Sequence, residues 1–369
     1  MHASIKFPAK LKMDSNLLSH FAWWLGVPRK VIEPYWPQIS QTSIKIENLR
    51  ISAPPLSDQV ARKFAFFIMR LTHPRSRASF RSTLKALRRF IKRTDLVLPD
   101  MSPITDTTWH QTVKYLKQRL KESNNLPTLK AGFGPAICLT HDIDTIDCYE
   151  SVPVLADLEQ KYGIPSVFNF LTDWDYPYSS DLAKRLYSDG FEIGLHGLTH
   201  DIALGYRSPQ LIRNHIEKAL DQLGLPVCGY RAPAFAISDT LIKILGELNF
   251  KYDSSMHMWH PMYPSLGLSF PFKYPTTTLI EFPLSIEDAM IFGDFSLNEK
   301  QAMRYIEKTL TAVMEIGGIF VLNIHPYRIK TQLWLVEAVL KKIKETNGQV
   351  LKTTPKFIID NFSKDIFPE

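Results

Sequence analysis

Two aspartates one residue apart, Asp142 and Asp144, and two histidines at i, i+4, His196 and His200, have types and spacings that could do chemistry. If the apolar run before them is a strand that continues through both aspartates, period-two alternation puts their carboxylates on one side. Close carboxylates repel, so such a pair calls for a cation or a shared proton. The same aspartates would also serve in a turn that caps a following helix. On a helical turn, His196 and His200 would face the same way, which suits a divalent metal; ordinary core or surface histidines give the same spacing. Taken with Asp144, they form a two-histidine, one-carboxylate set. Such a set leaves coordination positions open for water and substrate, as in catalytic rather than structural zinc.

These residues need elements to position them. After about residue 130 the chain alternates short apolar runs with helical segments. Strands are predicted at 136–140, 166–170, 192–195, 227–230, 250–253, 279–283, 319–324 and 350–352. Helices are predicted at 152–162, 181–189, 209–223, 240–248, 298–316 and 332–345. Alternation at this spacing argues for a parallel sheet or a (β/α) barrel. The polar clusters all fall where strands end: Thr140-His141-Asp142-Ile143-Asp144, then His196-Gly197-Leu198-Thr199-His200, Arg231-Ala232-Pro233 and Asn323-Ile324-His325-Pro326. In a parallel barrel those ends open on one face, the face on which barrel enzymes work.

From about residue 133 onward the chain resembles the NodB-homology polysaccharide deacetylases, carbohydrate esterase family 4. Five separated motifs in the family's order carry the resemblance. The first, usually Thr-Phe-Asp-Asp-Gly, reads Thr140-His141-Asp142-Ile143-Asp144, with an Ile between the aspartates and no final Gly. The second reads His196-Gly197-Leu198-Thr199-His200, after the approach Gly190-Phe191-Glu192-Ile193-Gly194. The third, Arg-x-Pro, reads Arg231-Ala232-Pro233, followed by Tyr252-Asp253-Ser254-Ser255. A loose fourth is Phe282-Pro283-Leu284 with Asp288, and the fifth is Leu322-Asn323-Ile324-His325-Pro326.

The resemblance implies an α/β fold: a distorted (β/α) barrel of seven or eight parallel strands over residues 131–369, behind a helical, basic region over 1–130. It implies one divalent metal, zinc foremost, on Asp144, His196 and His200. It further implies Asp142 as general base held by Arg231, and His325 as general acid oriented by Asp288. The reaction implied is removal of an N-acetyl group from an amino sugar in a glycan or lipid-linked precursor. Deformylation of a lipid-linked sugar and opening of a cyclic amide are the enzymatic alternatives, and a silent glycan-binding barrel is the non-enzymatic one. The aromatics Trp259, Trp174 and Tyr176 could stack on a sugar ring or simply pack.

Composition sets the outer bounds. At 45% apolar and 22% charged residues, the 369-residue chain is ordinary globular material, not disordered or fibrous. Three scattered cysteines make neither a disulfide framework nor a zinc knuckle. Between Arg62 and Arg93 there are eleven Lys/Arg and no acidic residue, so a basic arm precedes a slightly acidic body. Such an arm attracts phosphates and anionic membrane surfaces. A nucleic-acid partner is not expected, and oligomeric state is not legible. The apolar runs 17–27 and 64–69 are poor export or spanning segments and read as buried helices, the second alternatively as a basic amphipathic element on a membrane. These features place the protein in the cytoplasm, with peripheral contact at the inner membrane face.

Overall fold

A computed structural model describes residues 15–25, 27, 29–39, 56–71, 108–123, 134–260, 263, 265, 267–346, 348 and 350–362. Ten strands form one curled sheet, a half-barrel: β1 (Ala136–Ile143), β2 (Ser166–Leu171), β3 (Glu192–Gly197), β4 (Gly229–Tyr230), β5 (Tyr252–Asp253), β6 (Phe272–Lys273), β7 (Ile280–Glu281), β8 (Ile286–Glu287), β9 (Ile319–Asn323) and β10 (Leu351–Lys352). The order is β6-β7-β5-β4-β3-β2-β1-β9-β8, with β10 added against the start of β1. Every pair is parallel except β6–β7. The expected parallel barrel is therefore present as a curled sheet with one antiparallel edge pair. The extra strands, β6 and β8, are two residues long.

The long strands β1, β2, β3 and β9 are buried along their whole length. Helices cover their outer faces, as the βαβ crossover requires. The helix Ile146–Tyr162 starts earlier than its apolar pattern indicates. Thr145 caps it, accepting from the Cys148 N–H at 3.3 Å, and Pro153 is tolerated inside. Its start fixes the chain directly after Asp144. All three cysteines are buried and unpaired with one another.

The N-terminal helices dock on this sheet. In the helix Ser15–Leu25, the Trp24 indole donates to the Pro271 carbonyl at 2.8 Å and stacks on Phe270 with ring centres 5.1 Å apart. His20 accepts from the Lys273 N–H. Thus the 17–27 run contains a buried helix, ending at Leu25, that packs against the β6 edge. The helix Thr108–Glu122 lies alongside, its Lys117 ammonium donating to the Ile316 carbonyl.

The helix Leu56–Leu71 behaves differently. Its Arg62 is buried, pairs with Asp58 and donates to the Ile202 carbonyl at 3.3 Å; Phe66 stacks on Trp174. Its other side exposes Leu56, Val60, Phe64 and Phe67, one continuous helical stripe. The expectation of a fully buried helix over 64–69 is therefore corrected to an amphipathic one whose apolar side faces outward. Residues 79–92, whose sequence pattern predicts a helix, and most of the basic run lie outside the described residues. Among the described residues, no helix is long and apolar enough to cross a membrane.

Trp24 is the main tie of the first helix to the sheet. Trp24→Ala should cost about 3–5 kcal/mol, read as a lower denaturant midpoint; a change within about 0.5 kcal/mol, the range of an inert surface change, would contradict this packing.

Candidate active site

The sheet delivers its polar residues to the C-terminal strand ends. At the end of β1, Asp142 is buried. Its Oδ1 accepts from Asn169 Nδ2 at 2.8 Å, its Oδ2 from Asn323 Nδ2 at 2.9 Å, and the Arg231 guanidinium lies 3.6 Å from Oδ2. The neighbouring strands bring these groups together: Asp142 is in register with Asn169 on β2, and Thr140 with Asn323 on β9. The Thr140 hydroxyl donates to Asn323 Oδ1 at 3.2 Å, which turns the amide nitrogen toward Asp142. Gly194 leaves room for Asn169; a Cβ there would sit 2.1 Å from its Oδ1. Burial alone would raise the Asp142 pKa, but Arg231, His196 and His325 hold it below the ordinary carboxylate value.

Asp144, just past the strand, faces a different set. Its Oδ1 lies 3.1 Å from His196 Nε2 and its Oδ2 lies 3.2 Å from His200 Nε2. The two imidazoles converge without the helical turn expected for them. His196 is the penultimate residue of β3, and Gly197, its last, sits at φ +133°, a conformation that favours glycine. Half-buried His215 supports the loop, accepting from the Leu198 N–H at 2.9 Å. Burial lowers the His215 pKa to about 4, so its ring stays neutral and can accept. His196 Nδ1 donates to the Arg231 carbonyl at 2.7 Å, which leaves the Nε2 lone pair directed at Asp144. Burial opposes the charge on Asp144, yet His200, His196 and His325 hold its carboxyl well below the usual range.

His325 completes the ring of groups, its Nε2 3.6 Å from Asp144 Oδ2. Its Nδ1 bonds Asp288 Oδ1 at 2.5 Å, and Arg328 Nε donates to Asp288 Oδ2 at 2.5 Å. Burial disfavours the imidazolium, but Asp288 and Asp144 raise the His325 pKa well above its ordinary value. Asp288, despite burial, is lowered to about 2 by His325 and Arg328.

Arg231 is buried and braced by the stretch after it, with Nη2 donating to Ser254 Oγ at 2.9 Å. The Ala232 N–H donates to Ser255 Oγ, and that hydroxyl donates to Asp253.

The structure therefore gathers all seven residues singled out for chemistry: Asp142, Asp144, His196, His200, Arg231, Asp288 and His325. It adds Asn169, Asn323 and Arg328, which residue type and spacing did not single out. A lone amide in the apolar run Val167-Phe168-Asn169-Phe170 was the available signal. Tyr176 is a packing residue: its hydroxyl accepts from the Leu171 N–H and donates to the Ile143 carbonyl. Trp174 is stacked by Phe66, and Trp259 is half-buried with its ring 6.2 Å from that of Phe295.

Residues 132–252, which carry five of the seven, match the family model described as Polysaccharide deacetylase. The likeness to that family is carried by this stretch, about a third of the chain. Asp288 and His325 lie beyond the match, and the folded sheet brings them to it. Among solved structures, a Mycobacterium smegmatis protein assigned to the polysaccharide deacetylases superposes with a TM-score of 0.53 at 20% identity, over 65% of this chain and 93% of that one. The allantoinase Puue gives 0.50 at 14% identity, over 64% and 91%. At these identities the likeness shows the fold. No curated protein matches the chain in sequence.

The bracing of Arg231 predicts a pH effect. Asp253 and Glu281 stand opposite each other in the β5–β7 register, both buried. Burial pushes Asp253 from 3.8 to about 6 and, with the Asp253 charge, pushes Glu281 well above its ordinary value. A raised folded-state pKa stabilises the fold while the group is protonated, and that contribution is lost as pH rises. Stability should therefore fall as pH climbs from about 4 through about 6, and Asp253→Asn should flatten that slope in thermal melts. An unchanged slope in the variant would contradict proton sharing by the pair.

Proposed function

We propose that the chain is a metal-dependent N-deacetylase, removing an N-acetyl group from an amino sugar in a glycan or lipid-linked glycan precursor. The observation that carries this reading is the Asp144 carboxylate held between His196 Nε2 and His200 Nε2, at 3.1 and 3.2 Å, with His325 Nε2 facing it. The ligand atoms of Asp144, His196 and His200 all lie within 4.8 Å of one another, and the Arg231 carbonyl fixes the His196 tautomer that offers Nε2. Two imidazoles and one carboxylate fit a divalent cation, zinc foremost. Bound there, such a cation supplies Lewis-acid polarisation of the acyl oxygen and acidifies a water.

The remaining work falls to the chain's own residues. Asp142 is ionised, and each of its oxygens retains a lone pair beyond the amide it accepts from, so it can take the water's proton. Arg231 and the two asparagines position that carboxylate. Asp288 beside it favours the protonated imidazole of His325, which can hand a proton to the departing amine nitrogen. Asp288, held by Arg328, fixes the imidazole through Nδ1 and stabilises its cation. Water thus adds across the amide to give acetate and a free amine.

The barrel region, 131–369, would hold this centre, with region 1–130 flanking it. A lipid-linked substrate is favoured by the exposed stripe Leu56, Val60, Phe64 and Phe67. The helix bearing it touches Ile202 and Ala234, just past His200 and Arg231. The cations from Lys63 onward would add peripheral attraction to an anionic membrane, about 1 kcal/mol for each one near the surface.

The test is acyl release by the purified chain with zinc, from polymeric, lipid-linked and nucleotide-linked N-acetyl amino sugars. Acetate should appear, most rapidly from the lipid-linked substrate in anionic vesicles, and chelation should stop it. Asp142→Asn should keep the metal and lose about 10²–10⁴ in rate. Metal-loaded protein that releases acetate from none of the three, or an Asp142→Asn variant of parental rate, would refute the reading.

A further inference from the structure

A second cluster with metal-ligand chemistry uses none of the residues assigned above. His257, His260 and Glu287 place one ligand atom each within 4.8 Å of the others, and all three side chains are buried. His257 is fully enclosed, and neither of its ring nitrogens has a hydrogen-bond partner among the described residues. Buried polar groups in folded proteins are nearly always hydrogen-bonded, so an imidazole bare at both nitrogens asks for another partner.

The surroundings hold that ring in place. Phe235 meets it edge-on with centres 4.2 Å apart, and Tyr263 stacks at 5.2 Å and 12°. The His257 backbone bridges to Leu284 and Ser265. The cluster is interior. Glu287 on β8 is in register with Asn323 on β9, and parallel partners in register point to the same face. Asn323 reaches inward to Asp142, so Glu287 also faces the inside of the curled sheet. A further carboxylate stands nearby, Asp294 Oδ2 at 3.4 Å from His260 Nε2.

We propose that His257, His260 and Glu287 bind a second divalent cation of the zinc class, separate from the Asp144 set. Two neutral imidazoles and a carboxylate are a borderline-soft donor set that zinc accepts in tetrahedral geometry. The cation gives His257 the partner it lacks and ties the 256–260 loop to β8. That strand runs directly into Asp288, which orients His325, so the second ion braces the acid arm of the site from behind. A three-donor set leaves a coordination position open, but burial of all three side chains closes it to substrate, so the ion acts as a brace.

The experiment counts metal in the full chain by elemental analysis after zinc loading and dialysis. Four proteins are compared: the parent, a His196→Ala/His200→Ala double variant, His257→Phe and Glu287→Gln. The expected counts are two ions in the parent and one in each variant. With cobalt in place of zinc, the double variant should still show visible ligand-field absorption. His257→Phe, which keeps an aromatic ring beside Phe235 and Tyr263, should lose one ion and melt at a lower temperature than the zinc-loaded parent.

The double variant leaves His257, His260 and Glu287 intact, so it reports on the second site even if the others fold poorly. One ion retained there supports the proposal. No ion retained, with the parent fold intact by circular dichroism, overturns it, as does a parent count that His257→Phe leaves unchanged. Failure of the Asp144 set to bind metal would instead lower the parent count while the double variant kept its ion, so the two readings fail separately.

Discussion

Two buried carboxylates at the end of one strand, Asp142 and Asp144, set the demand that the surrounding structure answers. A buried charge is costly unless it is paired and hydrogen-bonded. The fold answers each differently. Asp142 is closed in by two amides and a guanidinium from β2, β9 and the turn after β4. Asp144 is left to three imidazoles, one from the end of β3 and two from the loops after β3 and β9. The same residue type thus stands in two environments, one suited to holding a charge for proton transfer and one suited to gathering donors around a cation.

The order of support runs outward from there. Arg231 reaches Asp142 because Ser254 and Ser255 hold its turn, and those serines rest on Asp253 and the β7 edge. His325 reaches Asp144 because Asp288 and Arg328 grip its far nitrogen. The site is therefore a place where six strand ends meet. Its precision comes from parallel register, since a one-residue slip would turn each of these side chains to the other face. The N-terminal helices share that core, and Arg62 spends its donors on carbonyls in the loops past His200 and Arg231.

Much of this was legible in the sequence, for identifiable reasons. Long buried strands announce themselves by apolar runs, so β1, β2, β3 and β9 were found close to their true limits. Of the two-residue strands, β4, β5, β7 and β10 were expected and β6 and β8 were not. The chemistry-bearing residues were legible because most of them fall in polar clusters where apolar runs end. The i, i+4 histidines misled in one respect: Gly197 at positive φ, not a helical turn, brings them together. Asn169, Asn323 and Arg328 stayed hidden because their roles arise only from cross-strand register. His257 and His260 were passed over for Trp259, since an aromatic between histidines draws attention to sugar stacking, whereas Glu287 completes their cluster from a distant strand.

The central claim is that Asp144, with His196 and His200, holds the metal while Asp142 stays free to move a proton. A crystal structure of the zinc-loaded chain, with the ion located by anomalous scattering, tests this most directly. The account predicts an ion about 2.0–2.2 Å from an Asp144 oxygen and from the Nε2 atoms of His196 and His200, with Asp142 still bonded to Asn169 and Asn323. An ion ligated by Asp142 in place of Asp144, or none between these three side chains at saturating zinc, would contradict it.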